Sequence, residues 1–514
     1  MANTSIVVPT GERGSPVSGV SFTPFPVFAL YEAIATLRGF SAIPASNTGY
    51  WDKPVYPTSF TSIETSLADT ETVANSAAPG DVIAISTATH TQNDINITNS
   101  GTQANPIFIV MQNLGQGDLS DSVIQYSGDW IYVMGVVNAR HNVDGQDNLT
   151  AYTRRNAAQS IHWVSDGARN RNCYNLVEGL TADDQYWNVV SAGGAKVDNR
   201  IDHNHHLRHI GNQSPGGASE HGQVGQNQIE ENYRLLYDSN YSFSHLNNGD
   251  GVKTVTNESE MLSLKSSQCM ILNNFFKDHN SHVSLRTGRE TTVWGNWFSG
   301  AGADQMGGIV GGGQDNLIGC NYGIDLNAGE LAGESFIDVF GGDGIGQNRE
   351  QSDRTEVFCN TAYNCGNVLS LNRSNYTVKP TDVELHGNAL QSKDATNVLW
   401  ENDSTTPNFG ANVFGPNKGI ADADVLEATP GWTLSKAGVI NIYDPTPSGN
   451  LDGTLDAISA TGTMVRSLQT SGALFDLVGQ TIPSTGGDQS AIQAGYDWTF
   501  DPIAELIADS GYLA

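Results

Sequence analysis

The sequence predicts an all-β protein, a single-stranded right-handed parallel β-helix (a solenoid) with an N-terminal capping helix. Three observations predict it: short strands at a regular beat, an Asn at the same place in each repeat, and a turn-rich composition. Asn274 to Asn296 is 22 residues, Asn296 to Asn321 is 25, Asn321 to Asn360 is 39, and Asn360 to Asn388 is 28. A period in the twenties with occasional long excursions marks coils that keep a fixed core and vary their loops. A β-propeller would need roughly 40 residues per blade. Gly is abundant at 56 and charged residues make up only 16%, with Asn, Ser and Thr set between short apolar runs, as in proteins made of many turns.

The elements follow in order. Residues 1–60 form an irregular leader rich in proline, with one helix expected over Phe28–Arg38. Ser62–Ala78 carries Ile63, Leu67, Val73, Ala74 and Ala77 at roughly helical spacing and stops at Pro79-Gly80, so a capping helix is expected there. Such a helix would cover the otherwise open first coil. Strands are expected at Asp81–Ile85, Ile107–Val110, Val123–Ile124 and Trp130–Val133. Later repeats share a form: apolar residues, then Asn, then often an aromatic, as in Met270-Ile-Leu-Asn-Asn-Phe-Phe276 and Val293-Trp-Gly-Asn-Trp-Phe298. Asn at equivalent corners can stack, each amide bonding that of the next coil. The β-helix domain is expected over 61–430, with 431–514 packed on its far end.

Lys and Arg number 25 against 55 Asp and Glu, a net charge of −30. This argues against nucleic acid as a partner, and an anionic substrate must meet a local cluster instead. The five cysteines are scattered and odd in number, so buried free thiols are expected rather than a disulfide framework. The longest apolar run, Trp130–Val137, is too short to span a membrane. The N-terminus lacks the basic head and apolar core of a signal peptide. Asn148-Leu-Thr150 matches a glycosylation sequon, as often by chance as by function.

The densest chemistry lies in Asn257-Glu-Ser-Glu-Met-Leu-Ser-Leu-Lys-Ser-Ser267. Glu258 and Glu260 are two apart, so on a strand both carboxylates share a face. They suit Ca²⁺, which takes six to eight oxygen ligands, or they are a solvated surface pair. A lone Lys265 is ordinarily a surface charge. Arg286, however, follows 21 residues later, about one coil, and stacking brings residues one coil apart to roughly 5 Å. Two neighbouring cations favour a neutral lysine. Glu260 and Lys265 differ by an odd number, so a bulge must intervene for them to share a face. Residues 250–290 balance Lys253, Lys265, Lys277, Arg286 and Arg289 against Asp250, Glu258, Glu260, Asp278 and Glu290. That window is neutral in an acidic chain.

The array Glu258-x-Glu260, Lys265-Ser266, Arg286 and Gly288 resembles polysaccharide lyase family 6, the alginate lyases and chondroitinase B. Asn273-Asn-Phe-Phe276, Gly295-Asn-Trp-Phe298, Gly307-Gly-Ile309 and Cys320-Asn-Tyr322 add to the likeness, which covers roughly residues 62–415. The resemblance implies Lys265 as the Brønsted base and Arg286 as general acid or leaving-group stabiliser. It implies Glu258 and Glu260 as calcium ligands, with Asn212 in the Gly-rich loop Gly211–Gly222 as a candidate third. Arg289 and His282 stand as substrate-binding candidates. Thr287 and Val310 depart from the family pattern, where His and a basic or aromatic residue are expected.

The reaction expected is calcium-assisted β-elimination on a uronate polymer, alginate first and chondroitin or dermatan sulfate second. The chain is expected to be secreted or periplasmic, to bind neither nucleic acid nor membrane, and to be a monomer, with dimer and trimer as alternatives. A polygalacturonase-like hydrolase would need clustered aspartates as acid and base, and that cluster is missing. The competing class is a phage-type tail fibre or adhesin that holds polysaccharide, or a phage depolymerase.

Overall fold

In the computed structural model of the chain, the described residues are 15–16, 27–87, 90, 93–120, 122–155, 162–164, 167–178, 188–190, 198–202, 204–207, 235–238, 241–243, 260–264, 267–272, 274–277, 282–285, 288–300, 307–326, 335–344, 350–372, 376–393, 398–401, 407–410, 412–421, 425–427, 431–436, 442–446 and 496–497. They fall in two compact units. An upstream unit comprises Ile43–Glu258 with Pro502–Ala514, and a downstream unit comprises Met1–Ala42 with Ser259–Asp501.

Each unit is built from three parallel sheets whose strands recur once per coil, the architecture of a parallel β-helix. In the downstream unit one sheet runs Glu260–Ser263, His282–Leu285, Ile309–Gly311, Ile337–Val339, Leu369–Leu371, Leu399–Glu401. A second runs Met270–Leu272, Thr292–Trp294, Leu317–Gly319, Glu356–Phe358, Glu384–His386, Asn408–Phe409. The third begins at Phe275–Lys277 and ends at Val425–Glu427. Alternation decides what faces inward. Val283, Leu285, Ile309, Ile337 and Val339 are fully buried, each worth roughly 1.5–3 kcal/mol when fully removed from water.

The expected Asn stack is present. The side-chain amide of Asn274 donates to Oδ1 of Asn296 at 2.8 Å, Asn296 to Asn321 at 2.9 Å, and Asn321 to Asn360 at 3.0 Å. Asn360 donates to Asn388 at 3.0 Å and Asn388 to Asn412 at 2.9 Å. Each amide also reaches a backbone carbonyl, as Asn296 does to Ile271 at 2.8 Å, so these buried polar groups are satisfied. The residue before four of these rungs turns left-handed: Gly295, Cys320, Cys359 and Gly387 have φ of 69°, 51°, 52° and 62°. For the two cysteines this costs roughly 1–2 kcal/mol, offset by the ladder bonds. All five cysteines are free and buried; burial pushes the Cys365 thiol up to about 12.

In the upstream unit the longest sheet runs from Ser62–Glu64 through Val82–Ile85, Ile107–Met111, Ile131–Met134, Leu149–Ala151, Arg171–Cys173 and Asn199–Asp202 to Leu235–Asp238. A helix, Leu67–Ala74, closes the first coil with Leu67, Thr70 and Ala74 buried. It is shorter than the predicted Ser62–Ala78. Ser62–Glu64 is instead a strand pairing with Ile83–Ile85, and Ser66 caps the helix by accepting from the Asp69 amide at 3.1 Å. The leader from Ile43 lies on this sheet. Arg171 donates to the Gly49 and Asp52 carbonyls at 3.1 and 2.6 Å, and Arg200 to Tyr50 at 2.7 Å. Asp202 neutralises both arginines, at 2.6 Å to Arg171 and 3.3 Å to Arg200, and all three side chains are 0–1% exposed. Burial opposes the charge of Arg171, but Asp202, through charge and hydrogen bonds, together with Cys173 and Tyr174 outweighs it and holds the guanidinium well above the usual arginine range.

Among the described residues of the downstream leader, the expected helix spans Val27–Arg38, and Arg38 donates to the Asp315 carbonyl at 2.6 Å. Gly431–Lys436 and Ile442–Thr446 form an antiparallel pair. No helix among the described residues is long and apolar enough to cross a membrane.

Candidate active site

The strand Glu260–Ser263 lies against His282–Leu285. Glu260 stands opposite His282, the register then slips by one residue, and Leu262 and Ser263 stand opposite Val283 and Ser284. A bulge thus falls between Glu260 and Leu262, inside the interval where the odd separation of Glu260 and Lys265 calls for one if the two are to share a face. Past it, the Leu264 amide donates to the Ser284 carbonyl at 2.8 Å. On the following sheet Met270 faces Thr292, so counted from the paired Ser263 and Ser284 the second coil holds one more residue than the first.

Lys265, Arg286, Glu258 and Asn212 lie outside the described residues, as does the side chain of Glu260, whose backbone is in the strand. Among the described residues, no group of three or more His, Cys, Asp or Glu side chains could hold a metal ion. The expected calcium ligands are not among the side chains so described.

Two site candidates are described in full. His282 is half-buried on its strand, opposite Glu260. Arg289 sits in the turn after that strand and is tied down rather than loose. Its Nε donates to Oε2 of Glu350 at 3.3 Å and its Nη2 to Oε1 at 3.2 Å. The Gln314 side-chain amide adds a bond to Oε1 at 2.9 Å. Arg289 keeps 24% of its side chain exposed while Glu350 has none. A buried carboxylate is costly unless paired, and this two-oxygen fork on a guanidinium is the arrangement that compensates it.

The outward row of the same sheet continues from Ser284 to Val310, Asp338 and Ser370, which stand opposite one another in register. Ser284 and Val310 are 3% and 7% exposed, and Asp338 and Ser370 are fully covered. Glu350, Gln314 and Asp338 were not legible as site neighbours. Glu350 belongs to the long excursion after Val339, where no repeat marks its position, and it reaches Arg289 across 61 residues.

Fold and register together define a parallel β-helix whose candidate chemistry stands at the edge of one sheet. No protein-family model and no curated protein matches the sequence. Solved structures match by fold. The PL6 family alginate lyase AlyGC superposes with a TM-score of 0.55 at 18% identity, over 76% of this chain and 55% of that one; the chain thus spans about half of AlyGC's length. The PL6 family polysaccharide lyase Pedsa3628 from Pseudopedobacter saltans gives 0.52 at 15%, over 71% and 94% of the two chains. A PL6 alginate lyase in complex with a trisaccharide gives 0.52 at 14%, over 75% and 91%. The resemblance drawn from the residues is met at the level of the fold.

Proposed function

We propose that the chain is an exported polysaccharide lyase that cuts a uronate polymer, alginate first, by β-elimination. The observation that carries this reading is the register at the bulge. The pairs Leu262–Val283 and Ser263–Ser284 are each 21 residues apart, the separation of Lys265 and Arg286, on a fold shared with PL6 lyases. Lys265, kept neutral by the cation next to it, takes H-5 of the uronate. Arg286 hydrogen-bonds the O4 leaving oxygen; its own deprotonation is excluded by a pKa above about 12. The C4–O bond breaks as its electrons leave with O4, a water held by Arg286 protonates that oxygen, and a 4,5-unsaturated sugar remains. Glu258 and Glu260, with Asn212, are hard oxygen donors suited to Ca²⁺, which when bound would neutralise charge on the substrate carboxylate.

The test is ultraviolet absorbance of the new double bond, with alginate, dermatan sulfate and polygalacturonate offered separately, with and without a calcium chelator. A rise on alginate that Lys265→Ala lowers by roughly 10²–10⁴-fold, and that chelation suppresses, is the expected result. Reducing ends without the absorbance would mean hydrolysis. Binding without any cleavage would make the chain a polysaccharide-holding protein.

A further inference from the structure

The geometry points to Glu350 as a positioning residue for substrate binding, acting through Arg289; this rests on the lyase reading above. Arg289 is a partly exposed cation on the turn that follows the strand His282–Leu285, three positions after Arg286 in the chain. An arginine at such a place ordinarily samples many rotamers, and a mobile cation recognises a carboxylate poorly because ordering it costs binding free energy. Here the guanidinium is gripped from behind. Both oxygens of Glu350 hold the Nε and Nη2 edge, and Gln314 takes Oε1 from the coil between.

The turn itself is held in the same place. Gln268 donates its backbone N–H to the Arg289 carbonyl at 2.7 Å, and Glu290 donates to Gln314 at 2.7 Å. Glu350 is fixed in turn, its carbonyl accepting from the Gly313 amide at 3.3 Å. The excursion after Val339 therefore returns over the intermediate coil and delivers a fully buried anion to Arg289. The pair is neutral as a unit but leaves the arginine side partly open and the glutamate side closed. That asymmetry is what a prearranged carboxylate receptor requires: a charge-assisted, planar donor set in a fixed orientation. An ion pair serving only to staple two loops has no need to keep its cation at the surface.

The experiment compares the full chain with Glu350→Gln, Arg289→Lys and the double variant. Calorimetric binding of a uronate hexamer and steady-state cleavage are both read, after circular dichroism confirms folding. Glu350→Gln keeps the size of the side chain and loses its charge. It is expected to weaken hexamer binding about tenfold, with the loss of turnover carried mainly by KM. Arg289→Lys keeps the cation and loses the fork, with a similar loss, and the double variant is expected to be no weaker than the worse single one. Unchanged hexamer affinity in Glu350→Gln overturns the inference even if melting falls, because the pair is then a staple only. Additive losses overturn it as well, since Glu350 would not act through Arg289. Binding without cleavage in the parent would sink the lyase reading and leave the affinity comparison to decide on Glu350. No binding by the parent would remove both.

Discussion

Among the described residues, both units stack coils on Asn amides, but the upstream one adds a buried charge cluster. Downstream, a continuous ladder of neutral amides from Asn274 to Asn412 joins successive coils. Upstream, among the described residues, the Asn runs are shorter. Asn148 donates its backbone N–H to the Asn170 side chain, and Asn170 likewise to Asn199, each at 3.0 Å, and Asn175 bonds Asn204. There the buried trio Arg171, Arg200 and Asp202 carries much of the specification, pinning the leader to the sheet. A neutral ladder asks little of any one rung. A buried charge cluster concentrates the risk in one residue, because the desolvated arginines depend on a single carboxylate.

Removing that carboxylate is the sharpest way to break the comparison. Asp202→Ala would leave two buried guanidinium groups uncompensated and should cost roughly 3–5 kcal/mol, read as a lowered midpoint in urea unfolding. Loss below 1 kcal/mol would mean the cluster is not what holds the leader. One rung of the ladder should matter less: Asn321→Ala takes the side-chain acceptor from Asn296 and one donor from Asn360, while both keep backbone partners, at roughly 1–3 kcal/mol by the same measurement. A cost equal to that of Asp202→Ala would erase the distinction between the units.

The smallest effect is expected in alkali, where both units hide weak acids. Burial raises Tyr132 upstream from 10.0 to about 12 and Cys365 downstream from 9.0 to about 12. The unfolded chain loses these protons first, so stability should be unaffected below pH 9 and fall between pH 9 and 12. A melting temperature that instead rose across that window would contradict the burial of both groups.

The fold was legible because its repeat is written in side chains that do the stacking. Asn274, Asn296, Asn321, Asn360 and Asn388 stand at the beat because each must meet the next. Asn412 escaped notice, since the strand before it is only Asn408–Phe409 and the apolar run is lost. The second ladder escaped too. Asn148, read as a chance sequon, is 2% exposed and is a rung, but no aromatic follows it to mark the pattern. The bulge near Glu260 could be inferred from parity alone, and the register places it at Glu260–Leu262. Glu350 could not be inferred, because its link to Arg289 depends on how an irregular excursion folds back, and that leaves no period in the sequence.

The rungs are separated by 22, 25, 39, 28 and 24 residues, yet their amide bonds all measure 2.8–3.0 Å. The spacing of coils is thus insulated from the length of chain between them. Insertions that enter between strands, as the excursion carrying Glu350 does, can alter what faces a ligand without being transmitted to the neighbouring turns of the solenoid. Such a scaffold can exchange one recognition loop for another while its unfolding midpoint barely changes, so specificity and stability can diverge independently in descent or in the hands of an engineer.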